Sequence, residues 1–241
     1  MSTEKNLKLF KQGFTDGIPI GLGYFSVGFT FGLQAVAFGL PLWAPVLISM
    51  TNVTSAGQFA GLSIICALGT LVEMALAQLI INMRYALMSL SLSQKFDDTV
   101  RLVDRFLIAF VNTDEVFAVA AGRSGTVGRL YMFGLITAPY FGWALGTLLG
   151  AGVGDFLPQS LASALGIAIY GMFLAIIIPP AKQNHAIVVA IAVAVGLSCL
   201  FNWLPLLQNI GSGFVIIICT VVAAAVAALL FPVKEVAADA D

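Results

Sequence analysis

No charged residue lies between Asp16 and Glu73, nor within Leu130–Gly154, Phe156–Ala181 or Ala186–Val233. At about 1.5 Å per helical residue, the first run alone could cross a hydrocarbon core of roughly 30 Å more than twice. The apolar pattern predicts full spans near 18–40, 59–83, 130–152, 157–179, 185–204 and 209–231. Two stretches break it. Segment 41–58 opens on Pro41 and Pro45 and turns polar at Ser49, Thr51, Asn52, Thr54, Ser55 and Gln58. Segment 106–122 is apolar except for Asn112, Thr113, Asp114 and Glu115 at its middle. Both read as broken or re-entrant helices, which survive at membrane depth only where protein or a water-filled cavity surrounds them.

Composition agrees. The chain is 60% hydrophobic and 10% charged, with a mean hydropathy of +1.01, whereas soluble domains are about a quarter charged. The predicted fold is therefore an all-α polytopic membrane bundle of six full spans plus the two broken segments, or six to eight crossings in all. It forms one transmembrane domain over 1–241, with cytoplasmic tails at 1–12 and 233–241. The positive-inside rule puts both ends in the cytoplasm. If the broken segments re-enter, Lys95, Arg101, Arg105, Arg123 and Arg129 join Lys5, Lys8 and Lys11 there. If both cross, the 95–105 group lies outside. Asp97, Arg101 and Arg105, at i, i+4 spacing, suggest a solvated helical turn laced with ion pairs.

Other classes fall away. No cleaved signal peptide is expected, since the N-terminal lysines precede no short apolar region with a small-residue cleavage site. A net charge of −1 without a basic patch argues against nucleic acid. Cys66, Cys199 and Cys219 lie in apolar segments without metal spacing, and His185 is the single histidine, so neither a metal nor another cofactor is expected. GxxxxGK[ST], HExxH and GxSxG are absent, which disfavours ATP drive and an enzyme.

Glycines recur every four residues at Gly13, Gly17 and Gly21, at Gly28 and Gly32, and at Gly142, Gly146, Gly150 and Gly154. Such ladders let helix backbones approach; packing within the chain is the expected use, with a seam for a second subunit as the other. Gly39 with Pro45 and Gly152 with Pro158 form a faint internal echo of the kind duplicated transporters carry.

The chemistry must come from the few polar groups the spans tolerate. Ionisable residues at membrane depth face a cavity or a partner, and desolvation disfavours their charged form, so Glu73, Asp114 and Glu115 are candidate proton carriers. Of the adjacent pair, Glu115 is expected to titrate, and the shorter Asp114 to cap the break. Asp16 and Arg84, near span ends, are structural or gating candidates, with Pro19. The helix break offers different chemistry. Asn52, Ser55 and Gln58, with Asn82 from the next span, could hold a zwitterion between a helix N-terminus and freed carbonyls. Phe25, Phe29 and Phe31 are possible walls for an aliphatic side chain.

Five motifs carry a family resemblance: Asp16-Gly-Ile-Pro19 with Gly21, Phe31-Gly32, Ser55-Ala-Gly-Gln58-Phe-Ala, Asn82-Met-Arg84-Tyr85-Ala-Leu-Met, and Thr113-Asp114-Glu115-Val-Phe117. In this order, over roughly residues 12–180, the chain resembles the AzlC family, the large subunit of branched-chain amino acid exporters. The resemblance implies export of leucine, isoleucine, valine and often methionine, and a small AzlD-type membrane partner. Tyr85 departs from the pattern, standing where many members carry histidine, so a proton relay through that position lacks its imidazole. A channel or a transporter of another small solute, or a structural membrane subunit, is the competing class; a channel cannot accumulate solute against a gradient.

Overall fold

Apolar runs that confine charge to their ends fold into helices. The computed structural model describes residues 3–154, 174, 177–205, 207 and 210–232. In chain order its named helices are α1 (Thr3–Ala37), α2 (Trp43–Thr51), α3 (Ser55–Cys66), α4 (Leu71–Ser93), α5 (Leu102–Phe110), α6 (Asp114–Gly122), α7 (Arg129–Gly154), α8 (His185–Trp203) and α9 (Ser212–Leu230). Among them α1, α4, α7, α8 and α9 are long and apolar enough to cross a membrane. The span expected at 157–179 lies largely outside the described residues, as do Pro158 of the internal echo and the tail at 233–241.

One predicted span is misplaced. Residues 59–83 are not a single helix, because α3 stops and α4 starts afresh at Leu71. Leu68 adopts a left-handed φ of 53°, the Gly69 N–H bonds the Ile64 carbonyl and the Leu68 N–H bonds the Ile65 carbonyl, which together close a Schellman motif. Thr70 and Glu73 then form a capping box. The Thr70 N–H donates to Glu73 Oε2 at 2.6 Å, and the Glu73 N–H donates to Thr70 Oγ1 at 3.2 Å. Hydropathy does not register either device. The predicted helical turn at 95–105 also gives way: α5 begins only at Leu102, and Phe96 instead pairs with Val127 in an isolated parallel bridge.

The described residues fall into two compact units, within Met1–Leu62 and Gln78–Gly166, and within Ser63–Ala77 and Ile167–Asp241. The first is built on α1 and α7, which run parallel in backbone contact. A Cβ on Gly13, Gly17, Gly28 or Gly32 would strike the carbonyl of Tyr131, Leu135, Trp143 or Thr147, respectively. Reciprocally, Gly134, Gly142, Gly146 and Gly150 lie on the carbonyls of Phe10, Gly21, Phe25 and Phe29. Apolar burial drives no association in lipid, so this close packing is what joins the two helices. The ladders are consumed inside the chain.

Both broken segments are helical hairpins that leave at the end where they enter. In the first, α2 descends from the carboxy-terminal end of the α1–α7 pair. Its Ser49 faces Gln58 of α3 across the turn. Leu62 then climbs back to Phe31 and Ala35, and the Phe31 and Phe59 rings meet edge-on at 5.5 Å. The second hairpin enters from the opposite end. Asp104, near the start of α5, lies 3.0 Å from Arg129 at the start of α7. Along α6 the partners on α1 fall from Tyr24, at Glu115, to Gln12 and Asp16, at Arg123. The loops flanking it are sewn together at Phe96 and Val127, and Lys95 Nζ donates to the carbonyls of Ala121 and Arg123, where α6 ends. Lys95, Arg101, Arg123 and Arg129 thus gather at the amino-terminal, cationic end of the pair.

The surface is apolar where a soluble protein's would not be. Leu22, Leu79, Leu87, Leu102 and Phe106 are each at least 60% exposed, a liability in water and the expected face toward hydrocarbon. In the second unit α8 packs on α9, and the buried Glu73 carboxylate sits against Gly211, at the start of α9, where a side chain would collide with it.

Two outcomes follow. Gly146→Ala should lower the thermal midpoint in detergent sharply, with overpacking costing about 1–3 kcal/mol or more because its neighbour is backbone. Gly23→Ala, which meets open space, should leave the midpoint unchanged; equal effects would refute the ladder. In a background without the native cysteines, Asp98→Cys and Thr126→Cys should label from one side of the membrane and Phe38→Cys from the other. Labelling of Asp98→Cys from the Phe38 side would mean that the second hairpin crosses.

Candidate functional site

The two hairpin tips converge on one level of the α1–α7 pair. At the first, α2 ends at Asn52 in extended backbone, and buried Thr54 N-caps α3, its carbonyl receiving the Gln58 N–H at 2.9 Å. At the second, α5 ends at Val111 and buried Thr113 N-caps α6, its carbonyl receiving the Phe117 N–H at 2.9 Å. Each tip thus follows a nine-residue helix and closes on a threonine cap. The hairpins have the same local plan and enter from opposite ends.

Gln58 organises the first tip. It is 1% exposed. Its Nε2 donates to the Asn52 carbonyl at 2.6 Å and to Ser49 Oγ at 3.2 Å, and its Oε1 accepts the Trp143 indole N–H at 3.1 Å. Ser49 continues to Thr147 on α7 at 2.8 Å. In this structure Gln58 is therefore a buried keystone with both ends of its amide engaged. Ser55 opens α3 beside it, half-buried. Asn52 and Asn82 each donate from Nδ2 to Gln78 Oε1, at 3.4 and 3.0 Å, while Gln78 donates to the Gly57 carbonyl at 2.7 Å. Among the described residues, the buried Asn82 Oδ1 has no partner.

Glu115 organises the second. It accepts the Tyr24 hydroxyl, and the Tyr24 ring stands edge-on to Trp143 at 4.8 Å. Tyr24 and Trp143 thereby connect the acid of one hairpin to the amide of the other. Tyr140 touches both tips as well, donating to the Met50 carbonyl at 3.1 Å and lying 6.4 Å from the Phe110 ring. Thr113, not Asp114, holds the N-cap position of α6, through its carbonyl and without a side-chain cap bond. Asp114 pairs instead with Arg84 of α4 at 2.8 Å, and Arg84 also donates to Tyr85 at 3.1 Å.

The remaining sequence candidates lie elsewhere. Asp16 accepts the Tyr131 hydroxyl at 2.7 Å and faces Arg123 at 3.9 Å, a latch at the cationic base of the second hairpin. Pro19 is inside α1 and exposed, and it deletes one rung of the ladder toward the Thr15 carbonyl. Glu73 belongs to the other unit, in its capping box. Phe31 is fully buried core rather than a cavity wall, and Phe25 is exposed. Sequence reasoning missed Tyr24, Trp143 and Thr147. Tyr24 falls between Gly21 and Gly28 at helical spacing, and Trp143 beside Gly142, so both share the faces the ladders define.

Opposed broken helices meeting at the middle of a helical bundle are the architecture of secondary transporters. This is a multi-pass α-helical membrane transport protein. The profile described as AzlC protein matches residues 19–157, and the chain belongs to the AzlC family. An uncharacterized membrane protein of Archaeoglobus fulgidus is 30% identical over 179 residues, covering 73% of this chain and 78% of the relative. The inner membrane protein YgaZ of Escherichia coli K12 is 28% identical over 190 residues, covering 76% and 78%. An uncharacterized membrane protein of Helicobacter pylori is 29% identical over 152 residues, covering 62% and 66%. No solved structure matches significantly.

The tip-to-tip connection makes a measurable claim. Trp143→Phe keeps the ring but leaves Gln58 Oε1 buried and unpaired, which should cost about 1–3 kcal/mol. Tyr24→Phe should do the same to Glu115. Chemical or thermal unfolding in detergent reads both; losses under about 0.5 kcal/mol, below the usual net worth of such a bond, would show that these bonds do not hold the tips.

Proposed function

We propose that this chain is the large subunit of a two-component exporter of neutral aliphatic amino acids, namely leucine, isoleucine, valine and methionine. It works in the bacterial cytoplasmic membrane, coupled to protons, with a small AzlD-like membrane protein as its partner. Membership of the AzlC family and the inner-membrane designation of the Escherichia coli relative support this reading. The observation that carries it is the Gln58–Trp143–Tyr24–Glu115 chain, which ties a candidate substrate site to a candidate proton site. The cationic end faces the cytoplasm by the positive-inside rule.

At the first tip the opening N–H groups of α3, from Ser55 onward, favour the substrate carboxylate. The unpartnered Asn82 Oδ1 accepts from its ammonium, Asn52 completes the polar rim, and Gln58 holds Asn52 in place. An apolar surround separates substrates that differ by one methylene by only about 1–3 kcal/mol, so the aliphatic set should compete broadly.

Glu115 is the coupling group. As an anion it accepts from Tyr24; protonated, it keeps a carbonyl oxygen for that hydroxyl but loses its charge and gains a donor of its own. That change at the Tyr24 contact is relayed by the Trp143 ring edge to Gln58 and Asn52. Asp114 is paired with Arg84 and anchors the tip to α4. Glu73, engaged in its capping box, keeps a structural role.

In proteoliposomes, Glu115→Gln should retain leucine counterflow and lose uphill flux under an imposed pH gradient, since the amide still accepts from Tyr24 but carries no proton. Asp114→Asn should instead reduce folded protein. Uphill flux at the native level in Glu115→Gln would remove that residue from coupling. Export of charged amino acids with none of leucine would sink the substrate assignment.

A further inference from the structure

A second polar feature lies below the tip of the second hairpin. Between α4 and α5 is a cavity of about 340 Å³, lined by Ser89, Leu90, Arg105, Phe106, Ala109 and Asn112 among others. That size lies within the range of small-molecule pockets. Its walls are apolar except at two places. At the inner end Asn112 is 3% exposed, and its Nδ2 donates to Ser89 Oγ at 3.0 Å. Among the described residues its buried Oδ1 has no partner, so a hydrogen-bond acceptor stands ready in the wall, and a donor from a ligand would recover the lost bond.

Arg105 lies in the wall toward the cationic end, near the start of α5, whereas Asn112 lies just past its last residue, so roughly 10 Å of hairpin separates them. Its Nη1 donates to the Ser93 carbonyl at 3.3 Å and its guanidinium lies 5.5 Å from the Phe96 ring centre. Among the described residues it forms no ion pair, unlike Arg84, Arg123 and Arg129. Arg105 marks the outer end with a cation, and at the inner end the Ser89 hydroxyl stands beside the Asn112 acceptor, a donor and an acceptor close enough to take the adjoining carboxylate and ammonium of an aliphatic zwitterion.

We propose that this pocket is a second amino-acid site, a loading site on the cytoplasmic side that fills before the tip network. The proposal rests on the export reading above. Arg105 draws in the carboxylate. Deeper, the ammonium donates to Asn112 Oδ1, the Ser89 hydroxyl donates to the carboxylate, and the side chain packs on Leu92, Ile108 and Ala109. Asn112 directly precedes Thr113, Asp114 and Glu115, so an occupied loading site sits beside the coupling acid. Acidic substrates would stall at Arg105 and cationic ones would be repelled there.

The test uses the full chain in nanodiscs of defined lipid, with radiolabelled leucine at equilibrium and thiol alkylation of Ala109→Cys. Two leucines should bind per chain, falling to one in Asn112→Val, in Ala86→Trp, which fills the pocket from its exposed wall, and in Asn82→Ala, which removes the tip acceptor. Leucine, but not lysine, should slow Ala109→Cys alkylation about tenfold, and should still do so when Asn82→Ala is added. A single leucine, lost in Asn82→Ala and kept in both Asn112→Val and Ala86→Trp, overturns the loading site and leaves the transport reading standing. A phospholipid that copurifies, is lost in Arg105→Gln, and leaves the leucine count unaltered also overturns it. No leucine binding or flux of any kind in the wild-type chain removes the export reading, and the loading site with it.

Discussion

The backbone contact between α1 and α7 is the constraint from which the rest of the first unit follows. In hydrocarbon an apolar side chain gains nothing by leaving lipid for protein, so association rests on packing and hydrogen bonds. Glycines on both helices bring carbonyls against Cα atoms over most of their length. Two helices that close leave little room for side chains on the contact line itself. Tyr24 and Trp143, at its edge, are therefore turned toward the hairpins. Their rings meet each other, and their polar atoms reach one acid and one amide. The ladder thus fixes where the two tips can dock.

The second constraint is the accounting of backbone polar groups. A helix break at membrane depth frees N–H and C=O groups that no water satisfies. At the first tip nearly every freed group finds protein: the Asn52 carbonyl takes the Gln58 amide, the Gly57 carbonyl takes the Gln78 amide, and the Met50 carbonyl takes the Tyr140 hydroxyl. Among the described residues a few buried side-chain atoms lack a hydrogen-bond partner, Asn82 Oδ1 near the first tip and Asn112 Oδ1 and Thr113 Oγ1 at the second among them. Each such atom is costly and calls for a reason.

Much of this was legible beforehand, for reasons that also explain the failures. Charge-free runs located the long helices because burying a charge in lipid is expensive regardless of tertiary detail. Prolines and amides in 41–58, and Asn112 to Glu115 in 106–122, revealed the hairpins because polar residues in an apolar run require a local reason. The boundary at Leu68–Thr70 was lost because its signals are conformational: a left-handed leucine carries no hydropathy, and Thr70-x-x-Glu73 reads as a cap only once a helix start is suspected. Glu73, a candidate proton carrier by its place in an apolar run, sits in that cap. Trp143 and Thr147 stayed hidden because a helix of uniformly apolar composition does not disclose which face its hydrogen-bonding atoms take. Only the ladder of Gly142, Gly146 and Gly150 marks that face, and it does so indirectly.

The opposed entry of the two hairpins bears on mechanism more than any single contact does. A hairpin anchored at one end of a bundle can move at that end while its tip stays near the middle, and a second one anchored at the other end can do the reverse. At the cationic end the anchors are ionic and numerous: Lys95 on the last carbonyls of α6, Arg123 with Asp16, and Arg129 with Asp104. At the far end they are aromatic and aliphatic, Phe31 with Phe59 and Leu62 with Ala35. The Arg123–Asp16 pair is partly exposed and can exchange with water, whereas Asp104 is buried beneath Arg129 and a packed ring has no comparable substitute. The two hairpins are thus held at their bases by different kinds of contact, and Glu115 stands at the tip of the one held by charge. Tyr24 and Trp143 join that tip to the hairpin held by shape.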